Sequence, residues 1–211
     1  MLETLTKVKK EMNDAARKRI IQQYYSKRSK DYDRQKSRTW KTSQGFSSGI
    51  INEILSVLAA FENKLVLEVG VGSGRNALPL MRESKPQFVG LDLSKEMLTL
   101  ANTKMSAFKR CSGLILGDAE YLPFCNDAFD AVVCMSTMHY STSQDKMLKR
   151  FSTILKRKGT FVYGDLTIHE SDDQEFLEIL ERTLSEAHSR YYKPTEMQKL
   201  MEACGFGISK I

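Results

Sequence analysis

The sequence lacks any long apolar segment and any cysteine pair at metal-ligand spacing. No apolar run approaches the roughly 20 residues of a membrane-spanning helix, and no apolar stretch follows the basic opening to make a signal peptide. The four cysteines form no CxxC pair, and the three histidines do not fall at ligand spacing with them. We therefore expect free thiols, no metal site, no transmembrane segment and a cytoplasmic location.

Internal repeats and Pro-, Gly- or Ser-rich linkers are also absent, which leaves one core for the 211 residues. With 41% hydrophobic and 27% charged residues, intrinsic disorder throughout is excluded. The pattern changes near residue 60. We predict an N-terminal helical extension, acting as a lid, over residues 1–60 and the main domain over residues 61–211.

The charge of the chain is unevenly distributed. The net charge is +6, yet residues 1–41 hold 13 Lys/Arg against 5 Asp/Glu, and residues 42–211 carry a slight negative excess. Such a basic segment can attract an anionic substrate, nucleic acid or an acidic membrane surface. A solvated basic face is the commoner explanation, so both interpretations stay open.

Hydrophobic periodicity predicts an α/β fold. Apolar residues recur at helical spacing over 2–25 and again over 47–61, which indicates two N-terminal helices. From Lys64 onward, short apolar runs alternate with helical patterns. The predicted strands are residues 64–69, 87–92, 113–118, 129–135, 159–166 and 206–211. The predicted helices between them are residues 75–82, 94–108, 143–156, 172–190 and 194–203.

Strands and helices in alternation imply parallel strands joined by right-handed crossovers. We therefore predict a Rossmann-like open, mainly parallel sheet with helices on both faces, preceded by the N-terminal helices. In such sheets ligands bind beyond the carboxyl ends of the strands. The residues that directly follow each predicted strand are thus the candidates for a binding site.

The segment LEVGVGSGR follows the first predicted strand and precedes a helix. Its glycines Gly70, Gly72 and Gly74 let the backbone turn sharply and approach a ligand closely. A dinucleotide fingerprint counted from Gly70 would need glycine where Arg75 stands, whereas counted from Gly72 it ends at Ala77, a permitted variant. The glycine spacing alone therefore does not identify the ligand.

Three carboxylates at the ends of three consecutive strands are more specific. Glu68 precedes the first glycine by two residues, where it would repel a pyrophosphate but suit a cationic sulfonium ligand with an α-amino group. Asp92 ends the second strand, a position from which an acid reaches ribose hydroxyls. Asp118 ends the third strand and can accept from an adenine amino group. This set favours S-adenosylmethionine over NAD.

Several segments carry a resemblance to a known family: LEVGVGSGR, VGLDLSKEML, GDAEYLPFCNDAFDAVVCMSTMHY, MLKRFSTILKRKGTFVYGDL and YYKPTEMQKLMEACGF. The chain resembles class I S-adenosylmethionine-dependent methyltransferases, in particular the ubiquinone/menaquinone C-methyltransferase-like group. The resemblance implies a role for each matching residue. The methionine part would be held by Glu68, Gly70, Gly72 and Gly74, the ribose by Asp92, the adenine by Leu93, Asp118 and Ala119, and the sulfonium by Met135 beneath it.

One departure from the family concerns the edge of the sheet. The family sheet ends in a two-stranded hairpin whose last strand is antiparallel, whereas this sequence ends at Ile211 after the first of these strands. We expect the usual last antiparallel strand to be missing. The sixth strand would then be free to pair elsewhere, or a partner would cover it.

Two residues are candidates for removing a proton from the methyl acceptor. His139 follows the fourth predicted strand and Asp165 ends the fifth. The plainer alternatives are a wall residue for His139 and a turn cap for Asp165. Tyr24, Tyr25 and Tyr32, in a segment resembling the tyrosine-containing lid of many family members, either close over the cofactor or pack on the core.

The function implied is S-adenosylmethionine-dependent methyl transfer to a small-molecule acceptor by in-line displacement, without a metal. One alternative is a tRNA or other RNA methyltransferase, which would bind nucleic acid through the basic residues 1–41. The other is a non-catalytic protein that retains the fold. A nicotinamide-dependent oxidoreductase is disfavoured by Glu68. The sequence identifies neither the acceptor nor the oligomeric state.

Overall fold

Five parallel strands form one sheet in this computed structural model, which describes residues 13–33, 52–141, 143–165 and 192–209. The strands are β1 (Leu65–Val69), β2 (Gln87–Asp92), β3 (Cys111–Leu116), β4 (Phe129–Met135) and β5 (Leu155–Gly164). Their order is β3-β2-β1-β4-β5, and every neighbouring pair is parallel. The order reverses between β1 and β4, so the ligand-binding crevice of such sheets lies at the carboxyl ends of these two strands.

Six helices accompany these strands in the described residues. They are α1 (Asp14–Arg28), α2 (52–58), α3 (Ala77–Glu83), α4 (Lys95–Met105), α5 (Gln144–Ile154) and α6 (Pro194–Ala203). Side-chain caps fix two of the starts: Asn13 accepts from the Ala16 amide at 2.9 Å, and Ser94 accepts from the Met97 amide at 3.3 Å. None of the described helices is both long and apolar enough to span a bilayer.

The core lies on both faces of the sheet. On β1, Leu67 and Val69 pack with α5 and α6, whereas Val66 packs with Leu58 of α2 and Leu80 of α3. This alternation follows from the two-residue period of a strand. Because β1 is central, both of its faces are buried, and its sequence therefore reads as a continuous apolar run interrupted by Glu68.

The predicted Rossmann-like open parallel sheet is confirmed, with some different boundaries. The bounds of β2, β4 and α6 agree with the prediction, whereas β5 begins at Leu155, four residues before the predicted start. The predicted sixth strand is wrong over 206–209, which form no strand. The predicted helix over 172–190 and the first part of the N-terminal helix lie outside the described residues.

Candidate functional site

A cavity of about 430 Å³ lies at the carboxyl ends of the strands, under α1. Loops that follow β1, β2, β3 and β4 form its floor, and one face of α1 contributes Asp14, Arg17, Lys18, Ile21 and Tyr25. The structure brings seven of the predicted site residues together in its wall. These are Gly70, Gly72, Asp92, Leu93, Asp118, Ala119 and Met135. Four others, Glu68, Gly74, His139 and Asp165, do not line the cavity.

The three glycines after β1 share a positive φ but differ in what surrounds them. All have positive φ, at +75° for Gly70, +53° for Gly72 and +77° for Gly74. A Cβ at Gly70 would collide with the Thr137 hydroxyl, and one at Gly74 would lie 2.7 Å from the sulfur of Met105. A Cβ at Gly72 would meet nothing within 4 Å, so this backbone is open to a ligand.

Asp92 joins the loops that follow β1 and β2. Its Oδ2 accepts from the Gly72 amide at 2.8 Å and its Oδ1 accepts from the Ser94 amide at 2.8 Å. Burial raises the pKa of Asp92, and these backbone hydrogen bonds partly oppose the shift. The Leu93 backbone N–H is a third donor to Asp92, and because a carboxylate has about four acceptor sites, Asp92 can still accept from a ligand hydroxyl.

Asp118 belongs to a charged cluster at the end of β3. The Lys18 ammonium lies 2.7 Å from Asp118 Oδ2, 2.9 Å from Glu120 Oε2 and 2.8 Å from Asp14 Oδ2. Sequence analysis missed Lys18 and Glu120. A second acid two residues after Asp118 was a usable signal for Glu120, but no local pattern indicates a lysine about 100 residues away.

Glu68 lies behind the cavity wall. It is fully buried, and neither carboxyl oxygen has a hydrogen bond of good geometry within the described residues. Burial raises the pKa of Glu68 to about 8, the neighbouring Asn76 side chain lowers it in part, and the charge of Asp92 raises it further. Such a buried carboxyl is costly as an anion, and a bound cation nearby would reduce that cost.

His139 and Asp165 are in contact with each other, but away from the cavity. His139 Nδ1 lies 2.6 Å from Asp165 Oδ1, and the histidine is 6% exposed. Tyr140, the next residue, lines the cavity, and its ring centroid is 4.2 Å from that of His139. The structure therefore pairs the two predicted residues and puts Tyr140 in the wall.

The tyrosines of the N-terminal segment form one aromatic cluster. Tyr25 contacts Tyr24, Tyr32 and Tyr140 in edge-to-face arrangements, and the hydroxyls of Tyr25 and Tyr140 lie 2.6 Å apart. Burial raises the pKa of Tyr25 and of Tyr140 above the ordinary value, so both hydroxyls stay protonated near neutral pH. They can position a ligand by hydrogen bonds.

The N-terminal segment is attached to the loops after all four strands that form the floor. At least one contact is made to each loop, and together these contacts hold α1 across the cavity as a roof. The contacts join Asp33 to Ser73 at 2.7 Å, Gln22 to the Leu93 carbonyl at 3.2 Å, Lys18 to Asp118 at 2.7 Å and Tyr25 to Tyr140 at 2.6 Å.

The chain is similar to known methyltransferases in sequence and in fold. Residues 66–159, from β1 into β5, match the family described as "Methyltransferase domain". The uncharacterized methyltransferase YcgJ of Bacillus subtilis is 31% identical over 147 residues, which are 65% of this chain and 55% of that protein. Its crystal structure has a TM-score of 0.65 at 26% identity and covers 74% of this chain and 68% of that chain.

Two further proteins show the range of the similarity. Fatty-acid O-methyltransferase of Mycolicibacterium smegmatis is 34% identical over 51% of this chain and 39% of its own length. Phosphoethanolamine N-methyltransferase 2 of Haemonchus contortus, solved with S-adenosyl-L-methionine, shares the fold with a TM-score of 0.62 at 23% identity over 74% of this chain and 36% of that chain.

The chain spans about half the length of the curated relatives it matches. None of the relatives described above supports the ubiquinone/menaquinone subgroup in particular, so that finer resemblance is not confirmed. The matched domain, the methyltransferase relatives and the shared parallel-sheet fold agree with one another. Together they support a class I S-adenosylmethionine-dependent methyltransferase.

Proposed function

We propose that this protein binds S-adenosylmethionine in the cavity under α1 and transfers its methyl group to a small-molecule acceptor. The observation that carries the proposal is the open space at Gly72, in a cavity whose wall also holds Asp92 and Asp118. A backbone that a ligand can approach and two carboxylates at successive strand ends fit a nucleoside with a polar tail.

Each wall residue has a proposed part in binding. The backbone of Gly70 and Gly72 receives the methionine part, while Gly74 keeps the loop packed against α4. Asp92 accepts from ribose hydroxyls. Leu93 contacts the adenine ring, Asp118 and Ala119 meet the adenine edge, and Met135 lies beneath the sulfonium. Glu68, buried behind the loop and protonated near neutral pH in the protein alone, would release its proton when the cationic end of the ligand binds near it.

The cofactor supplies an electrophilic methyl group on a sulfonium. The chain holds the cofactor and the acceptor in position and excludes water from them. Helix α1 covers the cavity and excludes water, and the Tyr25 and Tyr140 hydroxyls orient the acceptor. We propose His139 as the base for an acidic acceptor, with Asp165 holding its Nδ1 so that Nε2 is the basic atom. Neither residue lines the cavity, and Tyr140, whose ring centroid is 4.2 Å from that of His139, is the neighbouring residue that does.

The acceptor proposed is a small molecule and not RNA. The cavity volume lies within the range of small-molecule pockets. Basic residues 1–41 motivated the RNA alternative, but Arg17 is buried and Lys18 is paired with three carboxylates, so neither contributes to a basic surface. This weakens the RNA hypothesis for the part of the segment that the structure describes.

The test is calorimetric titration of the purified protein with S-adenosylhomocysteine, with NADH in parallel. We expect micromolar binding of S-adenosylhomocysteine and none of NADH. Asp92→Ala should weaken binding by about 1–3 kcal/mol, or roughly 10- to 100-fold, because ribose hydrogen bonds are lost. Glu83→Ala, a change of an exposed acid on α3, is the matched control and should bind as the unmodified protein does.

Circular dichroism should show that both variants are folded, since Asp92 also accepts two backbone hydrogen bonds. Unchanged affinity in Asp92→Ala would refute the ribose assignment. Failure of the folded, unmodified protein to bind S-adenosylhomocysteine would contradict the proposed function itself and favour a non-catalytic protein.

A further inference from the structure

Lys18 is the residue of α1 that enters the candidate cofactor site most directly. Its side chain is 19% exposed, and its ammonium contacts carboxylates of both α1 and the loop after β3. The Tyr121 ring centroid lies 5.0 Å from the same ammonium. Lys18 and its three carboxylate partners all line the cavity.

Both oxygens of Asp118 are already engaged in the absence of a ligand. Oδ1 accepts from the Glu120 amide at 2.9 Å, and Oδ2 is paired with the Lys18 ammonium at 2.7 Å. An amino group that approaches Asp118 from the cavity is a hydrogen-bond donor, as Lys18 is. The positive charge of the Lys18 ammonium, 2.7 Å from Oδ2, repels that amino group and weakens its hydrogen bond to Asp118, so the two donors compete for this carboxylate.

Lys18 can release Asp118 without losing its charge compensation. Glu120 and Asp14 remain at 2.9 and 2.8 Å, and the Ser141 hydroxyl donates to the other Glu120 oxygen and fixes that side chain. Burial lowers the pKa of Lys18, but hydrogen bonds to Asp118, Asp14 and Glu120 raise it above the ordinary value, and two of these three partners remain when Asp118 is released. The exchange needs only a small movement of one side chain.

We propose that Lys18 determines which purine the site accepts, by competing with the base for Asp118. This inference rests on the proposed function, because it takes Asp118 as the acceptor for the adenine edge. With an adenine ligand, the exocyclic amino group donates to Asp118. Lys18 then leaves Asp118 and stays paired with Asp14 and Glu120. With a 6-keto purine, Lys18 keeps Asp118 and also donates to the keto oxygen.

The test compares S-adenosylhomocysteine with S-inosylhomocysteine, in which a keto oxygen replaces the adenine amino group. The variant is Lys18→Met, and Lys27→Met, which removes an exposed charge from the same helix, is the matched control. In Lys18→Met we expect tighter binding of the adenosyl ligand and weaker binding of the inosyl ligand. The preference for adenosyl over inosyl should rise about tenfold or more, while Lys27→Met should leave it unchanged.

The ratio of adenosyl to inosyl affinity distinguishes a role of Lys18 in specificity from a merely structural role of Lys18. If Lys18 only anchors α1, its loss weakens both ligands by the same factor and the preference stays constant, which would overturn the proposal. Glu120→Gln supplies a second variant with the opposite expectation. It removes an alternative partner, so Lys18 stays on Asp118, and the preference for the adenosyl ligand should fall below that of the unmodified protein.

Failure of the two proposals can be told apart. If the folded, unmodified protein and Lys27→Met bind neither ligand, the proposed cofactor is wrong. If both bind S-adenosylhomocysteine and the preference is the same in Lys18→Met, only the role of Lys18 is wrong.

Discussion

Glu68 is a fully buried carboxyl group, and among the described residues no well-placed donor compensates a negative charge on it. Its pKa is about 8 in the folded protein, against an ordinary value of 4.5. Between these values the folded state binds the proton that the unfolded state has already released. The free energy of unfolding therefore falls as the pH rises through this window, by at most about 1.4 kcal/mol per pH unit from this group.

Glu68→Gln should remove this contribution. Chemical denaturation from pH 5 to pH 8 should give a shallower loss of stability with rising pH in the variant than in the unmodified protein. Glu83→Gln, at an exposed position on α3, should retain the original slope. If Glu68→Gln has the same slope as that control, Glu68 is ionised in the folded protein, and its raised pKa is refuted.

At the scale of the element, the loop after β1 offers a comparison between two glycines of similar conformation. A methyl group at Gly70 meets Thr137, whereas one at Gly72 meets open space in the cavity wall. Both positions have positive φ, so alanine costs about 1–2 kcal/mol of backbone strain at either. The steric clash adds a further cost at Gly70 only.

Gly72→Ala should therefore lose about 1–2 kcal/mol of stability yet bind S-adenosylhomocysteine at least about tenfold more weakly, since the methyl group fills ligand space. Gly70→Ala should lose more stability than Gly72→Ala. Urea denaturation and calorimetric titration of both variants measure the two effects. Full binding by a folded Gly72→Ala protein would show that no ligand approaches this backbone.

How far the sequence predicts an element depends on how local its signal is. The bounds of β2, β4 and α6 could be predicted because apolar runs and turn residues delimit them. Asp92 and Asp118 could be placed at the site because Asp92 ends β2 and Asp118 lies just beyond the end of β3. The contacts of Lys18 could not, since they depend on how α1 docks onto loops distant in the sequence.

The spacing of residues in the sequence also does not show whether a side chain reaches the cavity or lies behind its wall. Glu68 and His139 have the positions expected of ligand contacts, but the strand pleat turns Glu68 to the side of Val66, and Tyr140 stands in the cavity wall beside His139. The sequence therefore predicted the fold and the ends of β1, β2 and β4 correctly, placed the ends of β3 and β5 two residues late, and overestimated which side chains reach the cavity.

On the scale of the whole molecule, the sheet and α1 form opposite sides of the site. The parallel strands bring four loops to one edge. Helix α1 contacts the loops after β2, β3 and β4, and Asp33, which follows α1, contacts the loop after β1, so the cavity has a floor from the sheet and a roof from the N-terminal segment. The roof is held by ion pairs, among them those of Lys18 with Asp118 and Glu120, and by hydrogen bonds. A ligand in the cavity would touch both parts and join them more firmly.

Ligand binding should therefore protect α1 from amide hydrogen exchange. We expect slower exchange over 14–28 with S-adenosylhomocysteine, and no change in α6, which packs on the core away from the cavity. Tyr25→Phe removes the hydroxyl contact to Tyr140 and should reduce the protection, whereas Tyr121→Phe, at a 69% exposed side chain, should not. Equal exchange in α1 with and without the ligand, under conditions where calorimetry shows binding, would mean that α1 does not cover the bound ligand.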